Sequence, residues 1–384
     1  MVTQSMAQAI PFNRPTRTGR ENAHLRHLLD EEMSLQEGAY ARQCATWLTG
    51  RLGAGKAFLT TSCTHALEMS ALLAGIEPGD EVILPSFAFT STANAFALRG
   101  ASLRFVDIRP DTLNLDERLV AQAITPRTKA ICALHYAGIA CEMDALAAIA
   151  QAHGLLIIED AAHAILSTYK GRALGSLGAL GCFSFHESKN LHCGEGGALL
   201  VNQARYAERA EFIRDKGTNR GRFIRGQVDK YTWVDLGSSY TPSELCSAFL
   251  LGQLEGSDEV IADRLASWRR YHEGLRGLVR RECLEIPVVP QGCEHNGHLF
   301  YVKTANLEER TRLLAFLAER GTSATFHYIP LHSAEAGRRF GTFVGEDRYT
   351  TRESQRLLRL PLWHAMGAER VDRVLSQVED FYRC

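Results

Sequence analysis

Short apolar runs alternate with amphipathic stretches through the first half of the chain. Seven apolar runs predict strands at 57–60, 81–85, 103–107, 129–135, 155–159, 180–185 and 198–202. Helical patterns precede or separate them at 21–35, 39–52, 66–73, 90–98 and 142–153. Continuous apolar strands separated by helices are typical of a parallel or mixed sheet that is buried on both faces. The pattern therefore predicts an α/β domain.

The pattern changes after residue 202. A predicted helix at 206–216 leads into a polar loop at 217–239, which is longer than the ~12–15 residues usual for a structureless connection. We expect this loop to be functional or part of an interface, with a solvated basic loop as the alternative. A long helix at 243–276 then joins a smaller α+β pattern with strands at 299–303 and 323–328 and helices at 307–319, 350–358 and 368–382. We predict an N-terminal arm of residues 1–20, a large domain of residues 21–245 and a small domain of residues 246–384.

Composition and charge narrow the class of protein. The chain has 384 residues, of which 45% are hydrophobic and 23% are charged, as expected for a soluble globular enzyme. The net charge of −1 gives no bulk attraction to nucleic acid or to an anionic membrane surface. No apolar run approaches the ~20 residues that a membrane span requires, and we find no secretory signal pattern at the start. The ten cysteines have scattered spacings and no Cys-x-x-Cys pair, so we expect reduced thiols in a cytoplasmic protein without a metal site.

One glycine-rich segment resembles a nucleotide-binding loop without meeting its requirements. Residues 50–57 nearly match the pattern G-x-x-x-x-G-K-[ST], but Ala57 stands where the magnesium-binding hydroxyl is needed. A predicted strand follows this segment where the motif requires a helix. We therefore do not predict a nucleotide triphosphate site here.

Chemically distinctive residues follow the ends of several predicted strands. They are Thr64, Phe89, Asp160, Ser184 and Lys189. In open α/β sheets ligands bind beyond the carboxyl ends of the strands. Each residue has an ordinary explanation when taken alone, such as a surface lysine or a simple helix cap. Their common position at one sheet edge instead predicts a single ligand site.

The residue types at this edge match pyridoxal 5′-phosphate (PLP). Buried lysines form Schiff bases with carbonyl groups, which suits Lys189 and an aldehyde. The helix start at Thr64 and the Ser184 hydroxyl suit a phosphate. Phe89 can cover a flat ring, and the Asp160 carboxylate can keep a pyridine nitrogen protonated. A protonated ring is an electron sink for a carbanion next to the imine, and the freed Lys189 amine is the natural base.

His163 follows Asp160 by three residues and has two interpretations. It can cover the ring or orient Asp160 from the same side. It can equally be a core histidine that is satisfied by one hydrogen-bond partner.

The chain resembles a known family on several of these segments. Residues from about 10 to 384 resemble the sugar aminotransferases of the DegT/DnrJ/EryC1/StrS family, which have the aspartate aminotransferase fold. The matching segments are 61–67, 85–89, 159–163, 183–190, 194–197 and 326–332. The resemblance is closest to the branch that aminates C4 of dTDP-4-keto-6-deoxyglucose, through Arg220 and segments 226–233 and 345–350.

The resemblance implies a fold and a cofactor site. The fold is PLP-dependent transferase fold type I, with a large domain on a mostly parallel seven-stranded sheet and a smaller α+β C-terminal domain. Lys189 would carry the cofactor imine, and Asp160 would pair with the pyridinium. Further cofactor contacts would come from Cys63, Thr64, Phe89, His163, Ser184 and Ser239.

The resemblance also implies a reaction and an assembly. An amino group would pass from L-glutamate to the C4 keto group of dTDP-4-keto-6-deoxy-D-glucose and give a dTDP-4-amino-4,6-dideoxyhexose. The chain would form a homodimer with shared active sites, and Arg220, Tyr328 and His332 would face the nucleotide sugar. Rival expectations are amination at C3 or of a UDP-sugar, a PLP-dependent sugar dehydratase, which Lys189 argues against, and a non-catalytic regulator with the same fold.

The sequence departs from the family pattern at two places. Cys63 stands where the family often has glycine, so the approach of the backbone to the phosphate would differ slightly. Ser238 and Ser239 replace a stretch with an asparagine that often reaches the phosphate of the partner subunit. The cofactor role of Ser239 therefore has the weakest basis of the set.

Overall fold

The computed structural model describes residues 9–31, 35 and 38–383. The start of the predicted arm, residues 1–8, and part of the predicted helix 21–35 lie outside the described residues. The strands are β1 (Lys56–Thr60), β2 (Glu81–Pro85), β3 (Ser102–Val106), β4 (Thr128–Leu134), β5 (Leu156–Asp160), β6 (Thr168–Tyr169), β7 (Arg172–Ala173), β8 (Leu180–Ser184), β9 (Gly197–Val201), β10 (Cys293–Glu294), β11 (Phe300–Lys303), β12 (Gly341–Phe343) and β13 (Leu357–Leu360).

The α-helices cover both faces of the large sheet and most of the C-terminal part. They are α1 (Glu21–Asp30), α2 (Ala39–Leu52), α3 (Cys63–Leu73), α4 (Thr90–Ala97), α5 (Glu117–Val120), α6 (Met143–His153), α7 (Ala207–Arg214), α8 (Arg220–Ile224), α9 (Glu244–Glu255), α10 (Ser257–Gly274), α11 (Arg276–Arg280), α12 (Leu307–Glu319), α13 (Glu335–Phe340), α14 (Thr350–Arg356) and α15 (Ala368–Phe381). In the part of the chain that the structure describes, none of these helices combines the length and apolar character of a membrane span.

The large sheet has the strand order β1-β9-β8-β5-β4-β2-β3-β12. Strand β9 runs antiparallel to both of its neighbours, and the other neighbouring strands are parallel. The seven predicted strands are all present. An eighth strand, β12, was not predicted: three residues from the C-terminal part pair in parallel with the edge strand β3. Three residues are too few to show the alternating hydrophobic pattern of a strand.

The sheet is buried on both faces, as the apolar runs predicted. In β4, Ile131 and Ala133 pack into the core beneath α1, α2 and α6, whereas Ala130 and Cys132 pack into the core beneath α3 and α4. This alternation follows from the two-residue repeat of a strand. The carboxyl ends of β2, β4, β5 and β8 therefore meet at one edge of the sheet.

The smaller C-terminal region has its own core around β11 and β13. These two strands pair antiparallel, with Phe300 opposite Leu360, and helix α15 packs its apolar side against the same cluster. Predicted helix 307–319 matches α12, but predicted helix 350–358 is wrong at its end, where Leu357–Leu360 form β13. Predicted strand 323–328 is also wrong: it is an extended segment with one bridge, between Thr325 and Arg359.

The long predicted helix at 243–276 is two helices, α9 and α10, which meet at Gly256. The N-terminal arm packs against this break. A Cβ atom at Gly256 would lie 2.7 Å from Cγ2 of Thr18, so this close approach requires glycine. The arm contacts both the C-terminal region and the loop of Lys189, since the Ile10 N–H donates to Gly321 O and the Thr16 hydroxyl donates to Asn190 O.

Candidate active site

One cavity of about 580 Å³ opens at the carboxyl edge of the large sheet. It is bounded by the ends of β5 and β8, the start of α3, and residues from the C-terminal region. Most of the predicted site residues line it, namely Cys63, Thr64, Phe89, Asp160, His163, Ser184, Lys189 and Tyr328.

Lys189 is held on a loop that folds back onto the end of β8. The Phe185 N–H donates to Gly196 O at 2.8 Å, and the Cys193 N–H donates to Phe185 O at 2.9 Å. Within this loop the Lys189 N–H donates to His186 O at 2.9 Å. The backbone that carries the amine is therefore fixed by its own hydrogen bonds.

The Lys189 amine makes no hydrogen bond to any residue that the structure describes. Burial lowers its pKa from the ordinary value to about 8, and the negative charge of Asp160 opposes this shift. A neutral amine is the nucleophilic form. Lys189 is thus prepared for attack on a carbonyl group near neutral pH.

Asp160 ends β5 with its carboxylate inside the cavity. Its Oδ2 accepts a hydrogen bond from the Thr92 hydroxyl at 2.6 Å, and its Oδ1 accepts one from the Ala162 N–H at 3.1 Å. Burial raises the pKa of the carboxyl group, while these hydrogen bonds oppose the rise. A cation brought next to Asp160 would relieve the cost of burying its charge.

The neighbouring Glu159 points to the other face of the sheet. Its carboxylate accepts backbone N–H bonds from Gly175 and Leu177, both at 2.7 Å, and lies 2.9 Å from Nε2 of His135. Because successive side chains of a strand alternate, Asp160 enters the cavity and Glu159 does not. Glu159 instead holds the loop that precedes β8.

The start of α3 faces the cavity with its unpaired backbone N–H groups. Ser62 caps the helix by accepting the His65 N–H at 3.2 Å, while the first-turn N–H groups of Cys63 and Thr64 have no partner within the helix. A Cβ atom at residue 197 would lie 2.4 Å from the Cys63 backbone nitrogen. A side chain at residue 197 would clash with this turn, so glycine is required where β9 packs against the start of α3.

A wall of contacting rings lies beside Lys189 and consists of His163, His298, His327, Tyr136 and Tyr328. His163 is buried, its Nδ1 accepts the Ala137 N–H at 3.3 Å, and its Nε2 lies 3.4 Å from the Tyr328 hydroxyl. The His163 ring centroid is 4.3 Å from that of His298, and it stacks at 6.2 Å on His327. Burial, together with the charge of Lys189, holds the pKa of His163 well below its usual range. The ring is therefore neutral and carries its proton on Nε2.

Three predicted residues lie away from this cavity. Arg220 begins α8 and pairs with Asp215 at 3.7 Å. Ser239 is exposed at the end of the loop at 217–239. His332 is held between Ser86, at 2.7 Å, and Asp347, at 3.2 Å. Within one chain, none of the three lines the Lys189 cavity.

Other cavity residues were missed by sequence reasoning. Phe12 and Asn13 come from the arm, and His298 and Arg359 come from the C-terminal region. His327, which also lines the cavity, belongs to the matching segment 326–332 of the sequence analysis. The arm was predicted at residues 1–20, but no pattern indicated that it reaches this cavity. A usable signal existed for Arg359, which is the single charged residue within the apolar run Leu357–Leu360.

The chemistry of these groups fits PLP. A lone buried amine, a fixed carboxylate and a helix start with free N–H groups open into one cavity, and each matches one functional group of that molecule. The carboxylate is already oriented by Thr92 and Ala162. The residues present are therefore able to hold the cofactor.

Comparisons with known proteins agree with this fit. The DegT/DnrJ/EryC1/StrS aminotransferase family matches residues 15–379. The spore coat polysaccharide biosynthesis protein SpsC of Bacillus subtilis is 32% identical over 357 residues, which are 91% of each chain. The match therefore extends well beyond the site itself.

Solved structures extend the likeness to the whole fold. The aminotransferase TlmJ from Streptoalloteichus hindustanus has a TM-score of 0.89 and 30% identity, over 97% of this chain and 99% of that chain. The PLP form of the putative sugar aminotransferase Spr1654 from Streptococcus pneumoniae has a TM-score of 0.89 and 25% identity, over 98% and 99%. The chain belongs to the DegT/DnrJ/EryC1/StrS aminotransferase family and is a PLP-dependent sugar aminotransferase.

Proposed function

We propose that the protein transfers the amino group of L-glutamate to the C4 keto group of dTDP-4-keto-6-deoxy-D-glucose and releases a dTDP-4-amino-4,6-dideoxyhexose. The observation that carries the proposal is the single cavity shared by the Lys189 amine and the Asp160 carboxylate. The choice of substrate rests on the sequence resemblance at Arg220 and at segments 226–233 and 345–350.

In this proposal Lys189 is the nucleophile and the proton carrier. Its pKa of about 8 keeps a useful fraction of the amine neutral at physiological pH. With the cofactor bound, the same amine would carry the proton from the donor Cα to the cofactor carbon, and in the second half-reaction from the cofactor carbon to the sugar carbon. Its fixed loop keeps the amine on one side of the reacting atoms.

Asp160 holds the proton on the cofactor ring nitrogen. When bound, PLP supplies a ring that accepts the electron pair released at the substrate carbon. The carboxylate stabilises the positive ring nitrogen by direct charge interaction. Thr92 and Ala162 aim it through the hydrogen bonds described above.

The remaining residues position the cofactor. Thr64, Ser184 and the backbone at Cys63 bind the phosphate at the start of α3, where the helix dipole favours an anion. Phe89 would cover the ring of the bound cofactor, and His163 would either cover the ring or orient Asp160. Because His163 is buried with lowered pKa, it adds no positive charge next to the pyridinium.

We further propose a homodimer with shared active sites. The loop at 217–239 exposes Trp233, which is 73% accessible, and Tyr231, which is 53% accessible, while Ile224 in α8 is 69% accessible. Large exposed apolar groups in one region are typical of a protein interface. In the proposed dimer, Arg220 and Ser239 approach the partner's cavity. Tyr328 and His332 contact the nucleotide sugar that is bound in the cavity of their own chain.

The domain division and the location remain part of the proposal. We propose an arm of residues 1–20, which would end where α1 begins at Glu21, and a division into residues 21–245 and 246–384, which falls within the first turn of α9 (Glu244–Glu255). A cytoplasmic location is supported by the nine cysteines in the described part of the chain, all of which are free thiols.

The test is the structure of the product. Purified protein, PLP, L-glutamate and dTDP-4-keto-6-deoxy-D-glucose are incubated, and the product is examined by NMR. Parallel reactions contain the 3-keto isomer and a UDP-linked 4-keto sugar. We expect the fastest turnover with the dTDP-linked 4-keto sugar and an amine at C4. Preferred amination of either alternative substrate would overturn the proposed specificity.

A further inference from the structure

Two cysteines meet between the loop that carries Lys189 and the start of α9. Cys193 belongs to this loop, residues 185–196, and follows Lys189 by four residues, whereas Cys246 lies in the first turn of α9. Both side chains line one narrow gap between the loop and the helix. Both are partly exposed, and their sulfur atoms are hydrogen-bond partners. The fold therefore brings together two thiols that are distant in the sequence.

Cys246 is the more reactive member of the pair. Its backbone N–H donates to Oγ of Ser243 at 3.4 Å, and the Ser243 hydroxyl donates to its sulfur at 3.5 Å. The hydrogen bond from Cys193, aided by the one from Ser243, lowers the pKa of Cys246 to about 6, although burial opposes this shift. The start of a helix also favours a negative charge. Because the thiolate is the nucleophilic form of cysteine, Cys246 is ready to react near neutral pH.

Cys193 is suited to complete a disulfide with Cys246. Its hydrogen bond with Cys246, together with burial, raises the pKa of its thiol well above the usual value. Its sulfur also lies 3.3 Å from Glu195 O, a second acceptor for the same proton. A side chain at Gly196 would clash with this sulfur, so glycine leaves room for it. Cys193 therefore stays protonated beside the Cys246 thiolate.

A third cysteine lies near the pair and is not expected to react. Cys44 is close enough to Cys193 for their charges to interact, but its side chain is fully buried. Its thiol donates to Ser247 O at 3.3 Å. Burial raises its pKa, so it remains a thiol at neutral pH. The pairing favoured by contact and by reactivity is Cys193 with Cys246.

We propose that a peroxide converts Cys193 and Cys246 into a reversible disulfide that slows the reactions of Lys189. The Cys246 thiolate first attacks hydrogen peroxide: the O–O bond breaks, hydroxide leaves and takes a proton from solvent, and Cys246 becomes a sulfenic acid. The Cys193 sulfur then attacks the Cys246 sulfur, and the S–O bond breaks as hydroxide leaves with the Cys193 proton as water. Both sulfurs are oxidised, the peroxide is reduced to two waters, and a thiol reductant reopens the bond by exchange.

The disulfide acts on Lys189 through the loop. A disulfide holds its sulfur atoms at about 2.05 Å, closer than a hydrogen bond to sulfur, so closure draws the loop toward α9. The Cys193 N–H donates to Phe185 O at 2.9 Å, so a shift of Cys193 is passed to the base of the loop. A displacement of about 1 Å at a reacting group can cost about 100-fold in rate. The slowing rests on the proposed role of Lys189, whereas the disulfide does not.

Peptide mapping tests the disulfide. The PLP-loaded protein is treated with hydrogen peroxide, its remaining thiols are blocked, and it is digested with trypsin without reductant. Cleavage after lysine and arginine gives peptides 190–205 and 231–264, which contain Cys193 and Cys246 respectively and no other cysteine. We expect these two peptides to be linked, with the loss of two hydrogen atoms, and to separate again after dithiothreitol. Linkage through another cysteine, or oxidation of Cys246 without linkage, would overturn the inference.

Reaction with hydroxylamine tests the slowing without a sugar substrate. Hydroxylamine displaces the lysine from the cofactor, and the visible absorbance of the loaded protein reports the rate. We expect the linked protein to react about 10-fold more slowly than the reduced protein, within the range expected for a displaced reacting group. Cys246→Ser should keep the reduced rate after peroxide treatment. Cys283→Ser, which removes a partly exposed thiol outside the pair, should behave like the parent.

Two outcomes separate the disulfide from the role of Lys189. Equal hydroxylamine rates for linked and reduced protein would overturn the proposed slowing. A reduced parent protein whose absorbance hydroxylamine leaves unchanged would instead count against Lys189 as the residue that carries the cofactor.

Discussion

The Lys189 cavity and the loop at 217–239 differ in how much of a site one chain supplies. The cavity is complete in its reactive groups: amine, carboxylate and helix start all come from one chain and share one space. The loop carries Arg220 and leads to Ser239, but both lie outside that cavity, and Trp233 is 73% exposed. The difference separates reactive groups that a single chain holds from the proposed substrate contacts, which one chain does not bring to the cavity.

The strongest test of the cavity is removal of its amine. Lys189→Ala should lower turnover by about 10⁴-fold, because nucleophile and general base are lost together. Turnover is measured as product formed from L-glutamate and the keto sugar, and borohydride trapping followed by mass analysis should no longer label residue 189. The control is Lys216→Ala, which removes an amine whose side chain is 60% exposed and which pairs with Asp215. Parent-like turnover of Lys189→Ala would show that the cavity is not the reactive centre.

The second test concerns the carboxylate. Asp160→Asn keeps an acceptor for the Thr92 hydroxyl but removes the charge, and turnover should fall about 10²- to 10³-fold because an electrostatic contact to the ring nitrogen is lost. The measurement is kcat at saturating PLP, with cofactor content determined in parallel. Glu195→Gln is the control, since Glu195 lines the same cavity with a side chain that is 68% exposed. Equal losses in both variants would mean that turnover depends on the total negative charge of the cavity and not on contact between Asp160 and the ring nitrogen.

The contrast between the Lys189 cavity and the loop at 217–239 also helps to explain what could be predicted from the sequence. Seven strands and the residues at their ends were predictable, because apolar runs locate strands and parallel strands bring their carboxyl ends together. Asp160 and Lys189 follow from that rule. Arg359 does not: its charge within an apolar run marks it as unusual, but no local pattern indicates which cavity its side chain enters. The sequence pattern predicts that the helix at 350–358 extends into β13, because no turn residue separates Leu357–Leu360 from the preceding helical residues.

The third test uses pH. In the protein without cofactor, the rate of PLP attachment should rise with pH and level off above about pH 8, because the protonated Lys189 amine is not nucleophilic and its pKa is about 8. Near pH 7.5 this gives roughly 10²-fold more neutral amine than an ordinary lysine has. Stopped-flow absorbance measures the rate, and free Nα-acetyllysine is the reference. A midpoint near the ordinary lysine value would show that burial does not tune this amine.

The last test addresses the loop through complementation. Lys189→Ala and Arg220→Ala are each expected to be poorly active, and they are mixed, dissociated and reassociated. If Arg220 serves the partner's cavity, each mixed dimer has one site with both native residues, and random mixing restores about a quarter of parental activity. Sedimentation confirms the assembly, and Lys189→Ala mixed with Asp160→Asn is the control, because both changes fall in the same cavity and the predicted recovery is nil. No recovery in the first mixture would show that Arg220 acts in the cavity of its own chain. The cavity and the loop would then both belong to a site that one chain supplies.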